Sequence, residues 1–177
     1  NYGMHFGSQN HVQKGNFCGF ANELFVYVGA CPTAAEAVDI YMRGRTEASL
    51  VANSALKLYI TSKSTDAYGS GVLYDSSGNN WNLRNEQGTK YTFHHIEDDR
   101  TANTALYFDG YSGIEIPTSG GDFDVTAGED FTIECWYKLN GGENTYSGLV
   151  SITGTGDNNH AIGLSLGNSG ISYIFLQ

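Results

Sequence analysis

Residues 104–117 read Thr104-Ala-Leu-Tyr-Phe-Asp-Gly-Tyr-Ser-Gly-Ile-Glu-Ile-Pro117, and residues 131–138 read Phe131-Thr-Ile-Glu-Cys-Trp-Tyr-Lys138. In the second stretch apolar residues recur at every second position, which is the period of a half-buried β-strand. The dipeptide Asp109-Gly110 separates two short runs and is a strong signal for a hairpin turn. These stretches therefore predict antiparallel β structure.

The same signals recur along the chain, with turn residues about every 8–12 positions, as is typical of a sandwich or barrel. One helix is predicted at about 33–43, because Thr33 and Glu36 form a capping box and Gly44 supplies a stop. Further strands are predicted near residues 4–6, 20–28, 56–60, 89–96, 148–153, 161–166 and 171–176.

Length and charge limit the classes of protein to consider. A chain of 177 residues is expected to form one domain, 1–177. Its net charge of −10, with nine Lys and Arg, disfavours nucleic acid as a partner because phosphates need a basic surface. Its apolar runs fall short of the ~20 residues of a membrane helix, so we expect no membrane insertion.

Two stretches resemble a known family in inverted order. Residues 16–44, from Asn16-Phe-Cys-Gly-Phe to the helix and Gly44, resemble the closing strand and helix of laminin-G-like, concanavalin-A-like sandwiches. Residues 104–138 resemble the opening strands of the same fold. The resemblance implies an all-β, two-sheet antiparallel jelly roll. In it, residues 1–45 correspond to the family's C-terminal end and residues 46–177 to its N-terminal part, through circular permutation or truncation.

The departures from the family suggest a function. The hairpin carrying a Trp that follows in the family is not found, so the sheet would keep an open edge. A neighbouring subunit's strand, a further segment of the chain or an edge specific to this protein would cover it, and we expect the neighbouring strand. We therefore expect a non-catalytic structural or adhesive module of a filament or particle, located extracellularly, on a cell surface or on a virion surface. The alternative is a calcium-dependent, lectin-like glycan-binding module. A glycoside hydrolase comes third, because the paired carboxylates of such enzymes are missing from the strands.

Candidate site residues follow from these alternatives. The resemblance implies a structural calcium near Glu23 and Asp109, and oxygen ligands from acidic loops offer another location. Aromatic side chains that stack on sugars would serve glycan binding, although each also suits a core or subunit contact. The loop carboxylates are Asp122, Asp124 and Asp157, and the aromatic candidates are Trp81, Tyr111, Trp136 and Tyr146.

Three cysteines leave at least one thiol unpaired within the chain. Cys18 and Cys31 flank a predicted strand that spans roughly 20 Å, whereas a disulfide needs Cα atoms within about 7 Å. A bridge between them is therefore disfavoured. Cys135 shares the alternation of Phe131, Ile133 and Tyr137, so we expect it to face the core as a small hydrophobic residue. The alternative is a disulfide to a strand of this chain or of another chain.

Overall fold

The computed structural model describes residues 3–8, 17–43, 55–60, 75–86, 92–95, 104–110, 113–117, 123, 125, 128–140, 146–153, 160–167 and 172–176. Within these residues the chain is mostly β, with one helix, as the alternation predicted. The elements are β1 (Gly3–Phe6), β2 (Cys18–Val28), α1 (Ala34–Arg43), β3 (Leu56–Ile60), β4 (Arg84–Glu86), β5 (Thr92–His95), β6 (Thr104–Asp109), β7 (Gly113–Pro117), β8 (Phe131–Leu139), β9 (Tyr146–Thr153), β10 (His160–Gly167) and β11 (Ser172–Leu176).

The described strands form two antiparallel sheets. The six-stranded sheet has the order β11-β10-β9-β1-β7-β4, and the five-stranded sheet contains β3, β2, β6, β5 and β8. In the second sheet β8 runs along one side of β2, while β6 and β3 share the other side, at the first and second half of β2 respectively. The two earliest strands, β1 and β2, thus each lie between later strands of a sheet.

One apolar core lies between the sheets, as in a β-sandwich. Both sheets supply side chains that are almost fully buried, and the alternation of each strand selects which ones. Three aromatic rings meet edge to face within it: the Phe108 ring centroid lies 5.1 Å from that of Phe6 and 5.7 Å from that of Phe17. The largest fully buried members are Phe6, Phe17, Phe108, Met4, Leu24, Leu58, Ile60, Leu106, Ile114, Ile116, Leu149 and Leu166.

A β-bulge divides β2 into two halves. Asn22 lies opposite Trp136 and Phe25 opposite Glu134, so β2 has one more residue than β8 between these pairs. Glu23 takes a left-handed backbone conformation there (φ 55°), which is uncommon for a residue other than glycine. The extra residue reverses the alternation, and Phe25 joins a second, smaller cluster of buried side chains outside the main core.

The helix begins as its capping residues predict. The Thr33 Oγ1 accepts a hydrogen bond from the Glu36 backbone N–H (3.3 Å), and the Glu36 carboxylate accepts one from the Thr33 backbone N–H (2.8 Å). This is the reciprocal capping box, which satisfies backbone donors that the first turn leaves without partners. The prediction of a helix with Thr33 as its N-cap is confirmed.

Candidate interaction surface on strand β8

The exposure of the side chains of β8, the clearest strand of the sequence, increases along its length. Phe131, Ile133 and Cys135 are half-buried and pack against the main core. Beyond Cys135 the strand opens to solvent: Trp136 is 48% exposed and Tyr137 is 42% exposed. Large apolar side chains are seldom exposed side by side on one element without a contact to make.

The core-facing side of this end is only partly covered. Tyr137 contacts Phe17 edge to face, with ring centroids 6.4 Å apart, and yet remains exposed. Leu139, which is 37% exposed, lies opposite Gly19, so β2 offers it no directly opposed side chain to pack against. A Cβ at Gly19 would collide with the Lys138 carbonyl oxygen, so the backbone approach of β2 and β8 requires glycine here.

The outward side of the same end carries an aromatic and a cationic side chain. Trp136 and the exposed Lys138 alternate with Tyr137 along β8 and therefore point away from the core. Lys138 lies opposite Phe20, which in turn lies opposite Tyr107, and these two rings are 5.1 Å apart. We call Trp136, Tyr137, Lys138 and Leu139 together the β8 surface. Its mixture of aromatic, aliphatic and cationic groups suits contact with another molecule.

Trp81, the other tryptophan, has a structural place. Its ring lies 5.4 Å from Phe123 against the main core, and its indole N–H donates to the Lys57 carbonyl oxygen at 2.7 Å. The turn before it is held by the buried Asp75, whose carboxylate accepts hydrogen bonds from the Ser77 N–H and hydroxyl. Because its indole N–H is hydrogen-bonded and its ring packs on Phe123, Trp81 is poorly placed to stack on a sugar.

The remaining candidates are two tyrosines and three loop aspartates. Tyr111 lies outside the described residues, as do Asp122, Asp124 and Asp157. The backbone of Tyr146 begins β9. Stacking by the two tyrosines and calcium binding by the three aspartates therefore stay predictions.

The two carboxylates expected at a calcium site are far apart. Asp109 lies opposite Cys18 at the start of β2, whereas Glu23 lies five residues further along that strand. At the rise of an extended strand this separates their backbones by roughly 15 Å, while calcium ligands sit about 2.3–2.6 Å from the ion. Among the described residues no group of three or more His, Cys, Asp or Glu comes together. Calcium binding by Glu23 and Asp109 stays a prediction.

The cysteines are free thiols in distinct settings. Cys18 begins β2 and the exposed Cys31 follows its far end, so the length of the strand keeps them apart. Cys135 packs against the main core, and burial raises the pKa of its thiol to about 12. The expectation that Cys135 faces the core is thus confirmed.

Neither membrane topology nor similarity adds to these observations. Of the helical residues that the structure describes, none belong to a segment long and apolar enough to cross a membrane. Comparison of the chain with protein-family models, curated proteins and solved structures found no match.

Proposed function

We propose that this chain is a non-catalytic structural or adhesive module that associates with neighbouring subunits or domains through the β8 surface. The observation that supports this is the joint exposure of Trp136, Tyr137 and Leu139 on both faces of one strand end. A partner that covers them removes apolar area from water, at about 25 cal/mol per Å². Aromatic residues of this kind supply much of the binding energy in protein interfaces.

The wider proposal concerns architecture and location. The two sheets and their shared core are compatible with a laminin-G-like jelly roll in permuted order, completed by strands of neighbours in a filament or particle. An extracellular, cell-surface or virion-surface location fits a chain with few charged residues (16%) and 12 Tyr, whose phenol groups suit hydrogen-bonded subunit contacts.

Association tests the proposal directly. Sedimentation velocity over a concentration series should show assembly of the wild-type chain. Trp136→Ala should weaken that assembly about 30-fold, the effect of losing an anchor worth about 2 kcal/mol. Val38→Ala is the matched control, because Val38 is 63% exposed on the helix and away from β8. A wild-type chain that stays monomeric at all concentrations would refute the proposal.

Glycan binding is the second candidate. It is favoured by the outward side of the β8 surface, where Trp136 shares a sheet face with the Phe20–Tyr107 ring pair. Aromatic rings on a flat sheet face can stack against sugar rings. A glycan array with wild type and Trp136→Ala tests it: bound glycans lost in the variant favour this function, and an empty array rejects it.

A thermal melting experiment tests the calcium expectation. If a structural calcium supports the module, chelation lowers the melting temperature and added calcium restores it. An unchanged melting temperature removes calcium from the proposal. A glycoside hydrolase remains the least favoured of the three functions, and release of reducing sugar from any bound glycan would reinstate it.

A further inference from the structure

The outward-facing residues of β8 form a charge pattern that is complementary to itself. Glu134 and Lys138 flank Trp136 at equal spacing, two residues before it and two residues after it. All three point away from the core, because the core-facing residues are Ile133 and Cys135. When such a strand lies antiparallel to a copy of itself with Trp136 at the centre, each Glu134 faces the copy's Lys138.

We propose that the partner of the β8 surface is a second copy of this chain, joined through antiparallel pairing of the two β8 strands about a two-fold axis at Trp136. This inference rests on the proposed function, since it names the neighbour that the surface binds. Among the described residues, β8 pairs with β2 along one side. A second β8 along its other side would join two five-stranded sheets into one continuous sheet.

The outward face of the pairing contains two ion pairs and an aromatic contact. Each Glu134 carboxylate lies opposite the Lys138 ammonium of the other copy, and the two Trp136 rings meet at the axis. Directly opposed residues in antiparallel strands have Cβ atoms about 4.5–5.5 Å apart, which is within reach of both contacts. Two-fold symmetry makes the ion pair twice and the contact between the Trp136 rings, which lies on the axis, once.

The core-facing side is covered by the same register. Tyr137 lies opposite Cys135 of the second copy, and Leu139 lies opposite its Ile133. Leu139, which faces Gly19 on β2, thereby gains the apolar cross-strand neighbour that β2 does not supply. A neighbouring strand is the kind of occupant that accounts for apolar exposure on both faces, whereas a ligand lying on the sheet would cover one.

Other registers lose the complementarity. Moving the axis to Tyr137 places Lys138 opposite Trp136 and Glu134 opposite Asn140. Moving it to Cys135 places Glu134 opposite Trp136 and Lys138 opposite Thr132. Both alternatives keep outward residues on one face but remove both ion pairs, so the charges favour the axis at Trp136.

Charge reversal tests this pairing without removing an apolar residue. Glu134→Lys places like charges opposite each other twice in the dimer, and so does Lys138→Glu. Each single variant should weaken self-association on the order of tenfold. The double variant Glu134→Lys/Lys138→Glu restores opposite charges at unchanged net charge and should return to within about threefold of the wild type. An equimolar mixture of the two single variants should form a heterodimer in preference to either homodimer.

Sedimentation equilibrium gives the affinities, and native mass spectrometry identifies the heterodimer once one of the two variants is uniformly isotope-labelled, because the substitutions themselves leave the masses nearly equal. Arg84→Glu is the matched control, since it makes the same charge change as Lys138→Glu at an exposed residue of the other sheet. It should leave self-association unchanged.

The possible results separate the two levels of inference. Weakening by single reversals with recovery in the double variant and the mixture supports the pairing. Self-association that depends on Trp136 but shows no such recovery overturns the self-paired register and leaves the proposed function standing. A chain that stays monomeric or binds only a glycan overturns both, whereas binding of a different protein that depends on Trp136 overturns the self-pairing alone.

Discussion

Replacing Asp75 with alanine is expected to destabilise the fold by about 3 kcal/mol. The Asp75 side chain is 7% exposed, and its carboxylate accepts hydrogen bonds from the backbone N–H groups of Tyr59 (3.1 Å) and Ser77 (2.9 Å). It also accepts one from the Ser77 hydroxyl (2.7 Å) and a longer one from the backbone N–H of Trp81 (3.4 Å). This single carboxylate therefore ties the turn that precedes β4 to strand β3.

The magnitude follows from what each donor can do after the substitution. The Tyr59 N–H lies in a strand and is left without its acceptor, which costs about 1–3 kcal/mol when the site is buried. The Ser77 hydroxyl keeps a second acceptor, the Lys57 carbonyl oxygen at 3.2 Å. The Ser77 N–H lies in a half-exposed turn, and losing its bond costs about 0.5–1.5 kcal/mol. Together these give a loss of about 3 kcal/mol.

Urea unfolding followed by tryptophan fluorescence measures the change, since Trp81 sits beside the turn. Asp130→Ala is the control, because the Asp130 side chain is exposed, and it should change the free energy of unfolding by less than about 0.5 kcal/mol. If Asp75→Ala costs no more than this control, the turn does not hold β3 and the reasoning is wrong.

Three further predictions concern the backbone, a buried thiol and the helix. Gly7→Ala should cost at least 2 kcal/mol more than Gly78→Ala by the same unfolding assay, at the order of magnitude seen for overpacking. Both glycines have a left-handed φ (82° and 91°), but only a Cβ at residue 7 would collide with the Phe108 ring, and equal losses would refute this. Because burial raises the pKa of Cys135 from 9.0 to about 12, its contribution to stability is complete below pH 9 and is lost as the pH rises towards 12. Cys135→Ala should flatten that alkaline decline, and an unaltered pH profile would contradict a buried thiol. Thr33→Ala removes the N-cap of α1 and should lower the hydrogen-exchange protection of its first turn by about 1 kcal/mol, whereas unchanged protection would show that the cap is dispensable.

Local patterns in the sequence predict much of the fold. The alternation of residues 131–135 places Phe131, Ile133 and Cys135 against the core, and the Thr33–Glu36 spacing places the start of the helix. Both are short-range properties, fixed by the geometry of a strand or of one helical turn. They survive folding because they agree with the tertiary contacts.

The remainder depends on long-range pairing, which local patterns do not encode. The bulge at Glu23 carries no glycine to announce it, yet it reverses which residues of β2 face the core. Strand β4, Arg84–Glu86, is polar throughout and gives no alternation. The separation of Glu23 from Asp109 follows only from the register between β2 and β6. Likewise, residue type cannot show which tryptophan is exposed.

The two halves of β8 therefore have separable roles. Truncating Ile133 in the first half removes core contacts, so we expect it to lower the free energy of unfolding. Truncating Trp136 in the second half removes a side chain that is already half in water, so on the proposed function we expect it to weaken association and not folding. Gly19 helps to set the boundary, because a residue without a side chain opposite Leu139 leaves that end of the strand uncovered. Gly19, which permits the close approach of β2 and β8, thus also leaves Leu139 exposed for the proposed contact with another molecule.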